Sequence, residues 1–362
     1  MHRADVVVIG AGVMGSATAW WLARDGRHVV VLEQFDQGHA RGSSHGATRI
    51  FRFAYPDSAY VTMVQAALRL WREVEADGGQ TLIERTGAVD HGDPRGVRAI
   101  ADAMSAAAAP HELLDPDAAH ERWPGMRFEG DVVFHADGGR CRADRAVRAL
   151  QDRAASHGAD FHFGVGPARL AVRGDEVVAA AADREWRVPA VVVTAGAWVR
   201  GVLDAVGLAD RLPRLRVTQE QVQHFRPRPA HDAPERWPSF IHHRQPWHYG
   251  LYAPGEGVKV GAHIAGIEID PDRPVPRDDA RELAIVGYVK EWFPGLDPRP
   301  VHPATCLYTT TPTEDFIVDR VGPVVIGSPC SGHGFKFAPL IGRMLADLAE
   351  GKPGAERFRL PI

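Results

Sequence analysis

An α/β fold, α+β overall, built from two interleaved domains is what this sequence predicts, and three observations carry the prediction. First, Asp5-Val-Val-Val-Ile9 reads as a buried parallel strand and runs directly into Gly10-Ala-Gly12-Val-Met-Gly15. Second, two more apolar runs of the same kind lie far along the chain, Ala190-Val-Val-Val-Thr194 and Pro323-Val-Val-Ile326, each followed by glycine. Third, the stretches between them carry short strand-like runs and turn residues instead. A chain of 362 residues is more than one core usually serves, so two domains are expected.

Taken in order, Gly12 to Asp25 reads as a helix with apolar Ala17, Trp20, Trp21 and Leu22, stopped by Gly26. His28 to Leu32 is the second strand. Ala99 to Ala109 is Ala-rich and helical. Trp186 to Val188 and Gly250 to His263 contain short strands. Arg226 to Trp247, rich in Pro, His and Arg, reads as loops plus an edge strand. Pro339 to Leu348 is an apolar helix near the end. Segments 1–86, 144–214 and 306–362 are expected to form a Rossmann-like cofactor-binding domain. Segments 87–143 and 215–305 are expected to form a mainly antiparallel substrate domain.

Composition narrows the function. Apolar residues make up 45% and charged residues 24%, as in ordinary globular proteins. The net charge of −4 offers no basic surface for nucleic acid. No run approaches the ~20 apolar residues of a membrane span. Three cysteines, Cys141, Cys306 and Cys330, are too few for a disulfide framework, and a reducing cytoplasm is expected. His242, His243 and His248 cluster, but no carboxylate or cysteine pattern frames them, so no metal is expected.

The glycine motif carries the first chemistry. Gly10 permits a tight turn, Gly12 lets backbone N–H groups approach a pyrophosphate, and Gly15 lets helix and strand pack closely. Glu33 ends the second strand, where an acid binds ribose hydroxyls and disfavours a 2′-phosphate. This motif alone does not separate FAD from NAD. Gly196, after the strand ending at Thr194, leaves room for a cofactor. Ser331-Gly332-His333-Gly334-Phe335-Lys336 is another glycine-rich turn before a helix, suited to stabilise negative charge on a reduced flavin. Together these turns suit a flavin better than a nicotinamide. In Ser43-Ser44-His45-Gly46-Ala47-Thr48-Arg49-Ile50-Phe51-Arg52, a helix would place His45, Arg49 and Arg52 on one face. Three possible cations with no acid until Asp57 point to an anionic ligand or cofactor.

Four stretches together are similar to the monomeric sarcosine oxidase and N-methyltryptophan oxidase family. They are GSSHGATRIFRFAY (Gly42 to Tyr55), VKVGAH around Lys259, CLYTTTPTEDFIVD (Cys306 to Asp319) and SGHGFKFAP (Ser331 to Pro339). The resemblance spans the chain from first strand to last helix. It implies an oxidase of secondary amino acids that uses covalent FAD and passes electrons to oxygen. It implies a thioether from Cys306 to the flavin, with Arg52 and Lys336 clamping the substrate carboxylate. Lys259 would sit beside the flavin on the face away from substrate and serve oxygen. His45 and Arg49 would lie against the ring, with Ser44 and Thr48 among the cofactor contacts. Tyr249, Tyr308 and His263 would line the substrate pocket. Phe53 departs from the family's usual histidine, and the segment 226–247 matches no family pattern. The implied products are an imine and, after hydrolysis, the demethylated amino acid, formaldehyde and hydrogen peroxide. A monomer is implied. The rival readings are an oxidase of bulkier or cyclic amino acids, a flavoprotein passing electrons to a protein partner, and an NAD-linked dehydrogenase.

Overall fold

The computed structural model describes residues 2–360. A six-stranded sheet has the order Asp160–His162, Val29–Leu32, Val6–Ile9, Ala190–Val193, Val324–Ser328, Ile317–Val321. All neighbours are parallel except the last pair. Its central strands Val29–Leu32, Val6–Ile9 and Ala190–Val193 are apolar and buried throughout because both faces are covered there. Val6, Val8, Val29 and Val31 face a helical layer that includes Val13–Arg24, Ala143–Ser156 and Ala338–Ala349. Val7, Ile9, Val30 and Leu32 face a second layer, where Leu170, Val177, Ala179 and Trp186 come from a four-stranded sheet. The alternation of side chains along a strand divides the two cores.

A larger sheet forms the other half. Its order is Ile267–Glu268, Arg216–Pro227, Gly257–Ala262, His248–Ala253, Ser239–His243, Ala88–Gly92, Val132–His135, Glu112–Leu114, and Leu296–Thr310 also pairs along Arg216–Pro227. It is antiparallel apart from the pairing of Ser239–His243 with Ala88–Gly92. Phe225, Phe240, Val258 and Val260 point from one face onto the helix Asp279–Trp292, meeting Ile285, Val289 and Trp292. The other face is left for the site.

Two local expectations change. Ser239–His243 is no edge strand but lies between two partners, because the prolines flanking it, Pro238 and Pro246, fall outside its ladder. The segment 45–52 is not helical. Gly46 sits at φ +99°, and Thr48–Phe51 is a strand paired with Gly139–Arg142. β-branched Thr48 and Ile50 with Phe51 favour that choice. Residues 306–310, grouped by sequence with the cofactor domain, are the end of the large sheet's longest strand.

Candidate active site

Two adjoining cavities lie where the sheets meet. The first, about 790 Å³, runs over the carboxyl ends of the parallel strands past Gly10, Gly12, Glu33, Ser44, Gly196 and Gly334. This is where open α/β sheets bind ligands. Gly10 adopts φ +96°, and a Cβ on Gly15 would stand 1.8 Å from the Gly10 carbonyl oxygen, so both glycines are demanded by the turn. The helix Val13–Arg24 starts with Gly12 as its cap, with no acidic residue in its first turn. Its positive end therefore faces the cavity with no carboxylate in the helix's own first turn to offset it. Ser44 Oγ accepts a hydrogen bond from Val13 N at 3.1 Å and so stands at this turn. Glu33 is buried and fixed by N–H donors from Ala11 (2.8 Å) and Phe35 (3.0 Å). Gly196, at φ +53°, would point a Cβ into open space.

The second cavity, about 520 Å³, shares His45, Arg49, Cys306, Tyr308, Gly332 and Phe335 with the first. One face of the large sheet forms its floor. Cross-strand partners share a face, so the registers set Tyr249 and Leu251 beside Lys259 and Gly261, then His224 and Val222, then His302 and Ala304. Cys306, Tyr308 and His263 continue the same alternation and also line the cavity.

Lys259 is buried, and its ammonium donates to the Thr48 carbonyl oxygen at 2.8 Å. Burial first, then Arg49, pushes it down to about 7. Arg49 donates to the carbonyls of Thr48, Ser43 and His45 at 2.7–2.9 Å, which fixes the guanidinium in place of a carboxylate partner. His45 is no cation: burial, then Arg49, holds it down to about 4. The expected triple charge is therefore smaller.

Arg52 and Lys336 come together, as the sequence motifs imply. Both approach the Tyr55 ring, at 4.5 Å and 5.5 Å from its centroid. Lys336 donates to Tyr55 Oη (3.0 Å) and to the His333 carbonyl (2.8 Å). Burial, then Arg52, pushes Lys336 well below the ordinary lysine range. Arg52 has an acidic partner that its sequence neighbourhood does not show, Asp90, at 3.6 Å. Asp90 also accepts from His243 Nε2 at 2.8 Å. Burial alone would raise the Asp90 carboxyl, but His243 and Arg52 outweigh it and hold it below the usual range. Strand pairing of Ala88–Gly92 with Ser239–His243 brings this trio together. Only a register could reveal it.

Tyr308 and Tyr249 touch through their hydroxyls at 3.3 Å. Gly332 is required here, since a Cβ would stand 2.3 Å from the Tyr308 ring. His263 lies near Tyr308, and Trp247 stacks on it at the mouth. Cys306 is half-buried with a free thiol that burial pushes up. His242 and His248 are absorbed by Tyr288, which His242 meets by hydrogen bond and His248 by stacking.

The shared wall fits a flavin. His45 Nε2 is buried there with no hydrogen-bond partner, and a ring bearing carbonyls and ring nitrogens would supply one. Thr48, expected among the cofactor contacts, is fully buried in its strand and lines neither cavity. Residues 5–348 match the family described as FAD dependent oxidoreductase.

The chain belongs to the FAD-dependent oxidoreductase family.

Within this family it is 32% identical to peroxisomal sarcosine oxidase of Homo sapiens, over 95% of this chain and 92% of that one. It is 30% identical to monomeric sarcosine oxidase of Bacillus sp. (strain NS-129), with 95% and 92% covered. N-methyl-L-tryptophan oxidase of Citrobacter koseri is 28% identical over 97% of this chain and 96% of that protein. The open form of NikD, an amino acid oxidase essential for nikkomycin biosynthesis, superposes with a TM-score of 0.87 at 26% identity, covering 99% and 98%. FAD is thus the cofactor, and the protein is a flavin-dependent oxidoreductase. Among the described residues no helix is long and apolar enough to cross a membrane.

Proposed function

We propose that the protein oxidises a secondary, N-methyl amino acid of the sarcosine type to its imine and passes the electrons to oxygen. Hydrolysis then yields the demethylated amino acid, formaldehyde and hydrogen peroxide. The observation that carries this reading is the convergence of Arg52 and Lys336 on Tyr55, in a cavity sharing its wall with the FAD site. Bound FAD supplies acceptance of two electrons and a hydrogen from the substrate carbon.

The residues do the rest. Arg52 offers a planar fork and Lys336 a point charge to a carboxylate. Their field disfavours a protonated amine, which frees the nitrogen lone pair needed for oxidation. Tyr249, Tyr308 and His263 shape the space around the reacting carbon and exclude water. Lys259, held by Thr48, keeps a cation beside the site of oxygen reduction. The direct test of the reaction is loss of flavin absorbance on anaerobic addition of an N-methyl amino acid.

Cys306 is read as a thioether tether to the flavin. Its support is its place on the wall common to both cavities. Acid-precipitated wild-type protein should stay yellow, whereas Cys306→Ser should release its flavin or fail to retain it. A colourless wild-type pellet rules the tether out. Some turnover by the mutant with added FAD is compatible, because the flavin ring does the chemistry.

A bulkier substrate has one specific observation in its favour. Ile50, Ile100, Ile241 and Trp247 give the second cavity an apolar wall beyond the two cations. Anaerobic flavin bleaching by small N-methyl amino acids compared with bulkier or cyclic ones ranks the two substrate classes. The absence of disulfides among Cys141, Cys306 and Cys330 supports a reducing compartment such as the cytoplasm, and the similarity to monomeric relatives supports a monomer.

A further inference from the structure

We infer that His333 is a positioning residue: acting through the Tyr55 hydroxyl, it aims one N–H of Lys336 at the substrate carboxylate. The inference rests on the reading of Arg52 and Lys336 as the carboxylate clamp.

Four groups are joined by hydrogen bonds from Glu314 inward. Glu314 is a non-glycine residue in the left-handed region, at φ +61°. Its carbonyl oxygen lies 3.0 Å from His333 Nε2. A carbonyl only accepts, so Nε2 carries hydrogen. Burial, then Lys336, holds His333 down to about 3, so the ring is neutral and Nδ1 keeps its lone pair. The Tyr55 hydroxyl stands 3.2 Å from Nδ1 and therefore donates to it. Burial pushes the Tyr55 phenol up, so this hydrogen is retained. A hydroxyl has only one hydrogen. With it given to His333, Tyr55 offers Lys336 lone pairs alone, and Lys336 Nζ donates to Oη at 3.0 Å. A second Nζ hydrogen goes to the carbonyl of His333 itself, at 2.8 Å.

An ammonium has three hydrogens, and two are now committed. Among the described residues Nζ has no third acceptor, and Lys336 lines the second cavity with Arg52. The third N–H is the one left for a ligand. Were the Tyr55 hydrogen free to turn, it could donate to the lone pair of a neutral Lys336. The amine would then compete with the ammonium that a carboxylate needs. Packing holds both rings in place: His333 stacks on Phe316 with centroids 4.8 Å apart, and Tyr55 on Tyr60 at 5.2 Å. Arg52 and Asp90 face Lys336, while Arg52 and His263 lie around His333. None of these side chains bonds a His333 ring nitrogen, so the Glu314 carbonyl sets the tautomer.

The test titrates flavin absorbance of the FAD-loaded protein with propionate and with propionamide. His333→Phe keeps a ring against Phe316 but gives Tyr55 no acceptor. It should cut the preference for the acid about three- to tenfold, the scale of one neutral hydrogen bond. Tyr55→Phe should do the same, and the double variant should lose no more than either single one, because both break one chain. His333→Asn, whose amide oxygen can stand in for Nδ1, should keep most of the preference. Wild-type preference in His333→Phe, or a full further loss when it is added to Tyr55→Phe, overturns the inference. The wild type alone gives a second reading. Labelled with 15N-histidine, and with His333 identified by its NOE contacts to Phe316, it should show the Nε2–H tautomer. The Nδ1–H tautomer, or an imidazolium at neutral pH, overturns the inference whether or not the variants fold. Lys336→Met separates this failure from that of the clamp. A narrowed preference there beside an unchanged one in His333→Phe sinks the positioning role alone, whereas no change in Lys336→Met sinks both.

Discussion

Lys259→Met should leave anaerobic reduction by substrate nearly unchanged while reoxidation by air slows about a hundred- to a thousandfold. The magnitude is that of removing one preorganised charge beside developing negative charge, roughly 3–4 kcal/mol. Methionine keeps the length and apolar stem of lysine, so packing under Thr48 survives while the ammonium is lost. The pH dependence follows from the same group. Lys259 is cationic below its pKa of about 7 and neutral above it. A bound group bearing negative charge moves that midpoint upward. Wild-type reoxidation should therefore slow as pH rises, with a midpoint at or above 7, and Lys259→Met should be flat over the same range. Stopped-flow measurement of the two half-reactions separates the outcomes. Equal slowing of reduction and reoxidation contradicts the assignment of Lys259 to oxygen.

The second large effect concerns the carboxylate clamp. Removing Arg52 or Lys336 should cost about 2–5 kcal/mol of carboxylate binding, as for a buried charge left half-paired. Arg52→Gln is preferable to Arg52→Ala because Asp90 stays behind in the core and still needs a hydrogen-bond donor near it. His243 remains bonded to Asp90 in either case. Lys336→Met removes the second cation. Titration of flavin absorbance with an acid and its neutral amide should show the preference for the acid collapsing in both mutants. A proton effect should accompany it. Burial and Arg52 push the free Lys336 well below the ordinary range, and an incoming carboxylate pulls it back up. Between those two pKa values the wild type takes up a proton on binding the acid. Calorimetry in buffers of different ionisation enthalpy should detect uptake in wild type and none in Lys336→Met. Unchanged acid-to-amide ratios in both mutants would place the carboxylate elsewhere.

What the sequence shows and hides follows from the range of each interaction. Gly10, Gly12, Gly15 and Glu33 lie within one βαβ unit, so local spacing alone predicts their turn and strand end, and the structure has them there. Gly196 and Gly332 are legible for the same reason, since a positive φ or a close approach is a local demand. Arg52 and Lys336 meet across the chain, and only the family motifs bring them together in advance. The cations of segment 45–52 recur at spacings of four and three, which a helix would gather on one face. Pairing with Gly139–Arg142, a tertiary contact, decides for strand. Asp90 is invisible beforehand. It meets His243 through a strand register, and neither composition nor period encodes which strands become neighbours. His45 looks cationic in sequence because burial cannot be read from its neighbours.

The most direct test of the central claim is a single anaerobic mixing of the yellow protein with N-methyl amino acids, followed by air. The account predicts that flavin absorbance bleaches with one or more of them. Formaldehyde should appear in equal amount to reduced flavin, and air should restore the colour with an equivalent of hydrogen peroxide. Absorbance that stays unbleached across N-methyl and cyclic amino acids, or bleaching that air does not reverse with peroxide, would contradict it.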